Sequence, residues 1–185
     1  MLETLQYIDA QWFEAVNGLA IEWLDPVIVF IRNKKSWIPL YIIIILYTIY
    51  RFKKQSIAVI IMMILTIVLA DQISASIIKP FFERLRPCQA DSVRLLVKCG
   101  TGKSFVSSHA TNHFALAVFW LSFFKWKRYL NIATIFWAAA ICFAQVYVGV
   151  HYPFDVICGA LLGISIGLLM TYLTNFLFQK LKWEK

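Results

Sequence analysis

The sequence predicts an all-α fold, a polytopic transmembrane bundle of about five helices with interfacial helices before it and an amphipathic helix at its N-terminus. Of the 185 residues, 61% are hydrophobic and only 15% are charged. This composition is too apolar for a soluble domain of this length. The apolar residues also come in long runs, which is typical of an integral membrane protein. We expect one domain over 1–185, with interfacial helices over 1–36 and the transmembrane bundle over 37–185.

The net charge of +8 comes from basic residues that lie between the apolar runs. A nucleic-acid-binding protein would collect these residues on one surface, so we expect no nucleic-acid partner. Three segments, 51–55, 125–128 and 180–185, together hold nine basic residues and one acid. By the positive-inside rule these segments lie in the cytoplasm, and the polar loop 87–106 faces outward.

Two elements are expected before the first span. The apolar residues of 1–20 recur at helical spacing, which predicts an amphipathic helix lying in the membrane interface. These residues are Leu5, Ile8, Trp12, Ala15 and Val16. Asp25-Pro26 is typical of a helix start, with aspartate as the N-cap and proline at the first position. The run 27–31 is short, so we expect it to be interfacial or re-entrant.

Five apolar stretches are candidate spans, at 37–50, 56–78, 109–124, 129–150 and 153–178. Ser36 is a candidate cap for the first, and Pro39 falls in its first turn, where proline is tolerated. Asp71 lies within the second and is expected to be a buried acid that marks a functional or packing site. The first and third stretches are short for a bilayer core of ~30 Å, so we expect their helices to extend past the apolar run.

The four cysteines fall into two pairs. Cys88 and Cys99 lie in the loop 87–106, where they can form a disulfide if the loop faces an oxidising compartment, or remain free thiols. Cys142 and Cys158 lie in apolar runs and are expected to be packing residues. The absence of a CxxC pair from the sequence argues against a zinc site.

Lys79 and Arg86 form the first candidate site cluster. They are seven residues apart, which on a helix is two turns and places them on one face about 10 Å apart. Their long side chains can then converge on one anion, with the arginine binding phosphate in a bidentate way. The alternative is a basic helix end that binds lipid headgroups.

Ser107, Ser108 and His109 form the second cluster, at the start of the third span. Serine hydroxyls and the free N–H groups of a helix start make a binding site for an anion. His109 lies at its edge, where it can protonate a leaving oxygen. The alternative is that Ser107 only caps the helix and His109 is an interfacial residue.

His151 and Asp155 form the third cluster, four residues apart at the start of the fifth span. They share one face if the first helical turn includes His151. The carboxylate can then hold one ring nitrogen and leave the other free as a nucleophile, unless the histidine is only a satisfied interfacial residue. Taken together, the three clusters predict phosphoryl transfer through a phosphohistidine. In it His151 attacks phosphorus, the cations and serines neutralise the oxygens, and His109 protonates the departing alcohol.

Lys79-x6-Arg86-Pro87, Ser107-x-His109 and Gly149-Val-His151-x3-Asp155 resemble, in order and spacing, the three motifs of the type 2 phosphatidic acid phosphatase family. That family includes bacterial undecaprenyl-diphosphate phosphatases and shares its fold with vanadium haloperoxidases and glucose-6-phosphatase. The resemblance implies a lipid phosphatase of the bacterial inner membrane that needs no metal or cofactor and faces the periplasm or the outside. Its partner would be a phosphorylated lipid such as undecaprenyl diphosphate or phosphatidate. The implied phosphate-binding residues are Lys79, Arg86, Ser107, Ser108 and Gln145.

The sequence departs from the family pattern at two places. Ser108 replaces the glycine of Pro-Ser-Gly-His, and Ala144-Gln145 replaces Ser-Arg at the opening of the third motif. The missing arginine is a phosphate ligand in the family, and Gln145 carries no charge. We expect this to weaken oxyanion stabilisation by roughly 1–3 kcal/mol if nothing compensates. Arg84 is the candidate to compensate, and Gln145→Arg is expected to raise turnover.

Two other functions fit parts of the pattern. In a metallohydrolase, His109 and His113 at i and i+4 would ligate a metal together with His151 and Asp155, although the glutamate of the HExxH motif is missing. This function predicts that a chelator abolishes activity. In a phospholipid-binding protein without activity, the loss of the arginine at position 145 would have removed turnover, and a phosphorylated lipid would bind without phosphate release.

Overall fold

A computed structural model describes residues 2–90 and 93–183, and all regular secondary structure within these ranges is helical. The helical fold class predicted from the sequence is therefore confirmed. The helices are α1 (Leu2–Asn17), α2 (Asp25–Arg32), α3 (Ile38–Phe52), α4 (Ser56–Asp71), α5 (Lys79–Phe82), α6 (Pro87–Ala90), α7 (Ser108–Phe124), α8 (Arg128–Tyr147) and α9 (Pro153–Lys180). A π-helical segment, Gln72–Ile78, joins α4 to α5.

Three helical segments within the described residues are long and apolar enough to cross a membrane: Lys34–Ala90, Arg128–Tyr147 and Pro153–Lys180. The first contains both α3 and α4, and the chain turns between them at Lys53, whose φ is 48°. Helix α7 has 17 residues, which at 1.5 Å per residue is about 25 Å and shorter than a bilayer core. These segments confirm a membrane protein but do not by themselves establish five spans.

Helices α7 and α9 run parallel in close contact because glycines of α9 face the backbone of α7. A Cβ at Gly159 would lie 2.7 Å from the Ser107 carbonyl oxygen, and one at Gly163 would lie 2.4 Å from that of Thr111. Side chains at these positions would force the helices apart. The close contact sets the start of α7 against the first turn of α9, where the Ser107 N–H donates to the Asp155 carbonyl at 3.0 Å.

The other end of the bundle is closed by aromatic rings. The ring of Phe52 at the end of α3 lies 5.4 Å from that of Phe123 and 6.0 Å from that of Phe178. These contacts bring the ends of α3, α7 and α9 together. The basic segments 51–55, 125–128 and 180–183 therefore share one end of the bundle, opposite the starts of α7 and α9.

Helix α1 forms as predicted, but a different face packs against the protein. Asp9, Phe13 and Asn17 are buried, whereas Leu5 and Trp12 of the predicted apolar stripe are 45% and 51% exposed. The Asn17 amide donates to the carbonyl oxygen of Tyr147 at 2.8 Å. The buried side of α1 thus carries polar groups that bind the end of α8, while Leu5 and Trp12 face outward and Val16 packs against the protein.

The predicted role of Asp25 as a helix cap is wrong. The N-cap of α2 is Leu24, and Asp25 is the first residue of the helix. Its carboxylate instead accepts from the Tyr147 hydroxyl at 2.8 Å and pairs with Arg94. Asp25 therefore anchors the start of α2 to the end of α8. Helix α2 has eight residues, about 12 Å, which agrees with an interfacial or re-entrant segment.

Two expectations for the first two predicted spans are also wrong, those for Ser36 and Asp71. Ser36 lies in a short 3-10 turn, Lys34–Trp37, and the N-cap of α3 is Trp37. Asp71 is half-buried rather than buried. Its carboxylate accepts from the Asn112 amide at 3.1 Å, so it links α4 to α7.

Cys88 and Cys99 form a disulfide, which confirms one of the two alternatives for these cysteines. The Gln89 amide closes the same loop by donating to the Gly100 carbonyl at 2.8 Å. Cys142 is buried and Cys158 half-buried, both as free thiols, as expected of packing residues.

The α7–α9 contact gives a stability prediction. We expect Gly163→Ala to lower the unfolding temperature of the detergent-solubilised protein, with a loss of roughly 1–3 kcal/mol, because its Cβ would meet the backbone of α7. Alanine normally stabilises a helix relative to glycine, so a loss isolates the packing effect. Gly102→Ala is the control, since a Cβ there meets nothing within 4 Å. Equal unfolding temperatures for Gly163→Ala and the wild type would contradict the close contact.

Candidate active site

His151 lies in the turn between α8 and α9 and is 2% exposed. Helix α9 begins at Pro153, so the premise that the first helical turn includes His151 is wrong. The Asp155 carboxylate nevertheless turns back over the start of its own helix, where Oδ2 accepts from the Tyr152 N–H at 2.9 Å. This capping contact brings Oδ2 to 3.4 Å from Nδ1 of His151.

Ser104 also lies beside Nδ1 of His151, and it is fully buried. Its hydroxyl donates to Oδ2 of Asp155 and lies 3.2 Å from Nδ1 of His151. Because the hydroxyl proton goes to the carboxylate, the serine oxygen accepts from Nδ1–H, which leaves the lone pair on Nε2. The sequence interpretation missed Ser104, whose only local signal is its position three residues before Ser107.

The helical premise for Lys79 and Arg86 is also wrong. Helix α5 ends at Phe82, and Glu83 adopts a left-handed conformation with a φ of 47°. The chain then continues as a loop to Arg86. The two basic residues therefore do not project from one helical face.

Lys79 and Arg86 are brought together by the loop 102–104 instead. The Lys79 ammonium donates to the carbonyl oxygen of Lys103 at 2.8 Å, and Nε of Arg86 donates to that of Gly102 at 2.8 Å. Nη1 of Arg86 also lies 3.0 Å from Nε2 of His151. Both predicted cations are thus held beside the histidine, with Arg86 on its free nitrogen.

The two serines before α7 have different surroundings. Ser107 is the N-cap residue of α7, but its side chain makes no capping bond. Its Oγ is buried and has no hydrogen-bond partner within the described part of the chain. The Ser108 hydroxyl accepts from Ser74 of the π-helical segment at 3.0 Å. Ser107 therefore has both its donor and its acceptor sites open for a ligand, while Ser108, which accepts from Ser74, keeps its own proton to donate.

His109 and His113 lie one turn apart on α7, with stacked rings whose centroids are 6.1 Å apart. His109 lies near enough to His151 that a positive charge on either ring would disfavour one on the other. His113 lies 2.7 Å through Nδ1 from the His109 carbonyl oxygen and 3.3 Å through Nε2 from the Tyr41 hydroxyl. Because both ring nitrogens of His113 have partners, this residue does not fit the metal-ligand set of the metallohydrolase alternative.

Gln145 and Arg84, which were expected to share one role, lie in different places. Gln145 is fully buried on α8, and its Oε1 accepts from Nε of Arg32 at 3.2 Å. Arg84 donates to Asp155 at 2.8 Å and to Asp9 at 2.7 Å. The expectation that Arg84 compensates at position 145 is therefore wrong, since its guanidinium is bound on the Nδ1 side of the histidine.

Asp9 and Arg32 are further site residues that the sequence interpretation missed. Asp9 is fully buried and also accepts from the Phe154 N–H at 2.8 Å, so it binds the start of α9 as well as Arg84. The only signal for Asp9 was an acid on a helix with a strongly apolar stripe. Arg32 carried no signal, because its contact with Gln145 joins residues 113 positions apart.

The charges around His151 are arranged by sign. The pKa of His151 is lowered to about 4, mainly by burial and also by the Arg86 guanidinium, while the hydrogen bond to Asp155 acts in the opposite direction. Burial also raises the pKa of Asp9, against the effect of its bonds to Phe154 and Arg84. The result is a neutral imidazole with the Asp155 carboxylate beside Nδ1, backed by the Arg84–Asp9 pair, and the Arg86 guanidinium beside Nε2. Such a group can act as a nucleophile toward an anionic centre.

Comparison with known proteins finds relatives over most of the chain. A profile of the PAP2 superfamily matches residues 56–179, which include all three motifs. The lipid A 4'-phosphatase of Bacteroides thetaiotaomicron is 33% identical over 189 aligned positions, covering 98% of this chain and 84% of that protein. The undecaprenyl-diphosphatase of Sulfolobus acidocaldarius is 31% identical, covering 87% and 76%. The crystal structure of Aquifex aeolicus LpxE matches with a TM-score of 0.68 and 25% identity, covering 87% of this chain and 93% of that one.

The surroundings of His151 predict its protonation state. We expect its imidazole to stay neutral at pH 6 and to take a proton only as the pH falls through about 4, because its pKa lies well below the ordinary value of 6.5. NMR of protein labelled with ¹³C at the histidine Cε1 measures this directly. The chain has three histidines, and the signal of His151 is the one missing from His151→Gln. A titration midpoint at or above 6.5 would contradict the assigned surroundings.

Proposed function

Since the chain belongs to the PAP2 superfamily and is a phosphatase, we propose that it hydrolyses the phosphate of a membrane lipid through a phosphohistidine on His151. The observation that carries this proposal is the sorting of charge around that imidazole. Arg86 lies 3.0 Å from Nε2, while Ser104 and Asp155 lie on the Nδ1 side. A nucleophile that attacks an anion needs this polarity, with cations where the phosphate binds and carboxylates away from it.

In the first step, Nε2 of His151 forms a bond to phosphorus and the bond from phosphorus to the lipid oxygen breaks. The lipid oxygen keeps the electron pair and takes a proton from His109, whose protonated form is favoured by a bound phosphate. Lys79, Arg86 and the Ser107 hydroxyl bind the phosphoryl oxygens. Asp155 and Ser104 stabilise the positive charge that develops on the phosphorylated imidazole.

In the second step, water attacks the phosphohistidine. Neutral His109 takes a proton from this water as its oxygen bonds to phosphorus. The bond between phosphorus and Nε2 breaks, the electron pair returns to Nε2, and inorganic phosphate leaves. His109 is then protonated again and His151 is neutral, so both residues are restored for the next turnover.

A lipid phosphate is the proposed substrate, with lipid A 4'-phosphate favoured and undecaprenyl diphosphate and phosphatidate as the other candidates. The relative named for lipid A covers 98% of this chain. A cavity of about 580 Å³ opens between α3, α4 and α7, where Asn112 and His113, one turn beyond His109, contribute to its lining. Its lining is polar on one part and apolar on the other, as a lipid headgroup and its chains require. The polar part includes Lys34, Lys35, Gln72 and Asn112, and the apolar part Ile38, Ile67, Val68 and Leu116.

We further propose that the whole chain is one phosphatase domain that crosses a bacterial inner membrane five times, through α3, α4, α7, α8 and α9. The shortness of α7 is tolerated because protein surrounds most of it: its residues from 115 to 120 are all buried. The basic segments at the far end of the bundle favour a cytoplasmic position for that end. His109 and His151 would then face the periplasm or the outside, where the Cys88–Cys99 disulfide is also stable.

The proposal is tested by phosphate release in detergent from lipid A 4'-phosphate, undecaprenyl diphosphate, phosphatidate and phosphatidylglycerophosphate. We expect no measurable release by His151→Ala and a loss of roughly 10²–10⁴-fold for His109→Ala. Phe136→Leu is the control, because this residue of α8 is 74% exposed. Turnover within a few-fold of wild type in both histidine variants would reject the assigned roles.

Two further measurements separate this proposal from its alternatives. A chelator should leave turnover unchanged, whereas a metallohydrolase would lose it. Rapid quenching with radiolabelled substrate should trap a phosphoprotein that is stable to alkali and labile to acid, as a phosphohistidine is. Binding of the lipids without release of phosphate by the wild type would identify a phospholipid-binding protein without activity.

A further inference from the structure

Position 145 is where the chain lacks the arginine of the family motif, and the structure places another arginine beside it. Gln145 is fully buried on α8, and Nε of Arg32 donates to its Oε1 at 3.2 Å. Arg32 is the last residue of α2, which packs against α8. A guanidinium from a different helix therefore lies next to the side chain that replaces the family arginine.

The guanidinium of Arg32 lies near the proposed catalytic groups. Burial lowers the pKa of Arg32, and the nearby charge of Arg86 lowers it further, although a guanidinium stays protonated at any ordinary pH. The charge of Arg32 also acts on the ring of His109. Arg86 itself lies 3.0 Å from Nε2 of His151. Arg32 is thus near both Arg86, the cation beside Nε2 of His151, and His109, the proposed general acid.

The arginines at the end of the bundle that holds His151 differ in whether they form ion pairs with acids. Arg84 pairs with Asp9 and Asp155, and Arg94 pairs with Asp25. Among the described residues, Arg32 and Arg86 form no such pair. Two half-buried guanidiniums that repel each other destabilise the protein unless an anion binds between them. A phosphoryl group at His151 is an anion of the required charge and size.

Two buried polar atoms of predicted phosphate-binding residues add to the inference. Nε2 of Gln145 and Oγ of Ser107 are both buried and have no hydrogen-bond partner among the described residues. Both groups can donate to a phosphoryl oxygen. Gln145 would then use its amide in two ways, holding Arg32 with its oxygen and binding the ligand with its nitrogen.

We propose that Arg32 binds the substrate's phosphoryl oxygens in place of the missing motif arginine, and that Gln145 is the residue that positions it. This inference rests on the proposed phosphatase function and adds a phosphate-binding residue to it. It reverses the expectation for Gln145→Arg. A third cation beside Arg32 and Arg86 repels both, so turnover should fall rather than rise.

An exchange of the two residues tests the proposal. With the best lipid substrate of the panel, we expect Arg32→Gln to lower kcat/KM tenfold or more and Arg32→Lys to lower it less. Gln145→Arg alone should lower it, and the double variant Arg32→Gln/Gln145→Arg should recover to within a few-fold of wild type. A residue needed only for packing would not be rescued by moving its charge to the neighbouring helix. Arg128→Gln is the control, at the far end of the helix that carries Gln145.

The possible outcomes distinguish a failure of the Arg32 proposal from a failure of the proposed phosphatase function. If the wild type releases phosphate and Arg32→Gln stays within twofold of it, or the double variant is no better than Arg32→Gln, the role of Arg32 is overturned and the phosphatase function stands. If the wild type releases none, the phosphatase function fails. Orthovanadate then tests Arg32 alone: the anion should raise the unfolding temperature of the wild type more than that of Arg32→Gln, and equal shifts overturn the proposal.

Discussion

The end of the bundle that holds His151 depends on the Asp155 carboxylate, which is excluded from solvent. A buried carboxylate strongly destabilises a protein unless hydrogen bonds and opposite charge surround it. Its two oxygens accept from Arg84, Ser104 and the Tyr152 N–H, and Oδ2 also lies near Nδ1 of His151. These partners come from separate parts of the chain. His151, the proposed nucleophile, is therefore held in position only when the loop before α7, the start of α9 and the segment around Arg84 are all folded together.

The same carboxylate explains why the first helix packs on a polar face. Arg84 needs a second acid, because one guanidinium between two aspartates satisfies more of its donors than one aspartate does. Asp9 supplies that acid from α1 and also binds the Phe154 N–H, so it stabilises the positive start of α9. Asp9, Arg84 and Asp155 thus form one ion-pair network on the Nδ1 side of His151. The opposite side keeps Arg86 and Arg32 outside these pairs, which is the side where an anion would bind.

Much of this protein could be predicted from its sequence, though partly for the wrong physical reason. Apolar runs indicated a helical membrane protein, since hydrophobic length is a local property. The motif spacings correctly suggested that Lys79 and Arg86 converge and that Asp155 reaches His151. In both cases the expected cause was one helix face. The actual causes are a left-handed turn at Glu83 and a carboxylate that caps its own helix. The spacings therefore reflect the shape of loops that local periodicity does not describe.

The parts that could not be predicted are contacts between residues far apart in the sequence. Ser104 lies 51 residues from Asp155, Asp9 lies 75 from Arg84, and Arg32 lies 113 from Gln145. Considered within its motif alone, glutamine at position 145 indicates a lost charge. Within the folded protein, what matters for an oxyanion is how many cations surround it and how they are oriented, whichever helix carries them. A short helix that ends in arginine against a buried glutamine can meet that requirement. For this reason the loss of a motif arginine does not by itself predict the loss of phosphate binding.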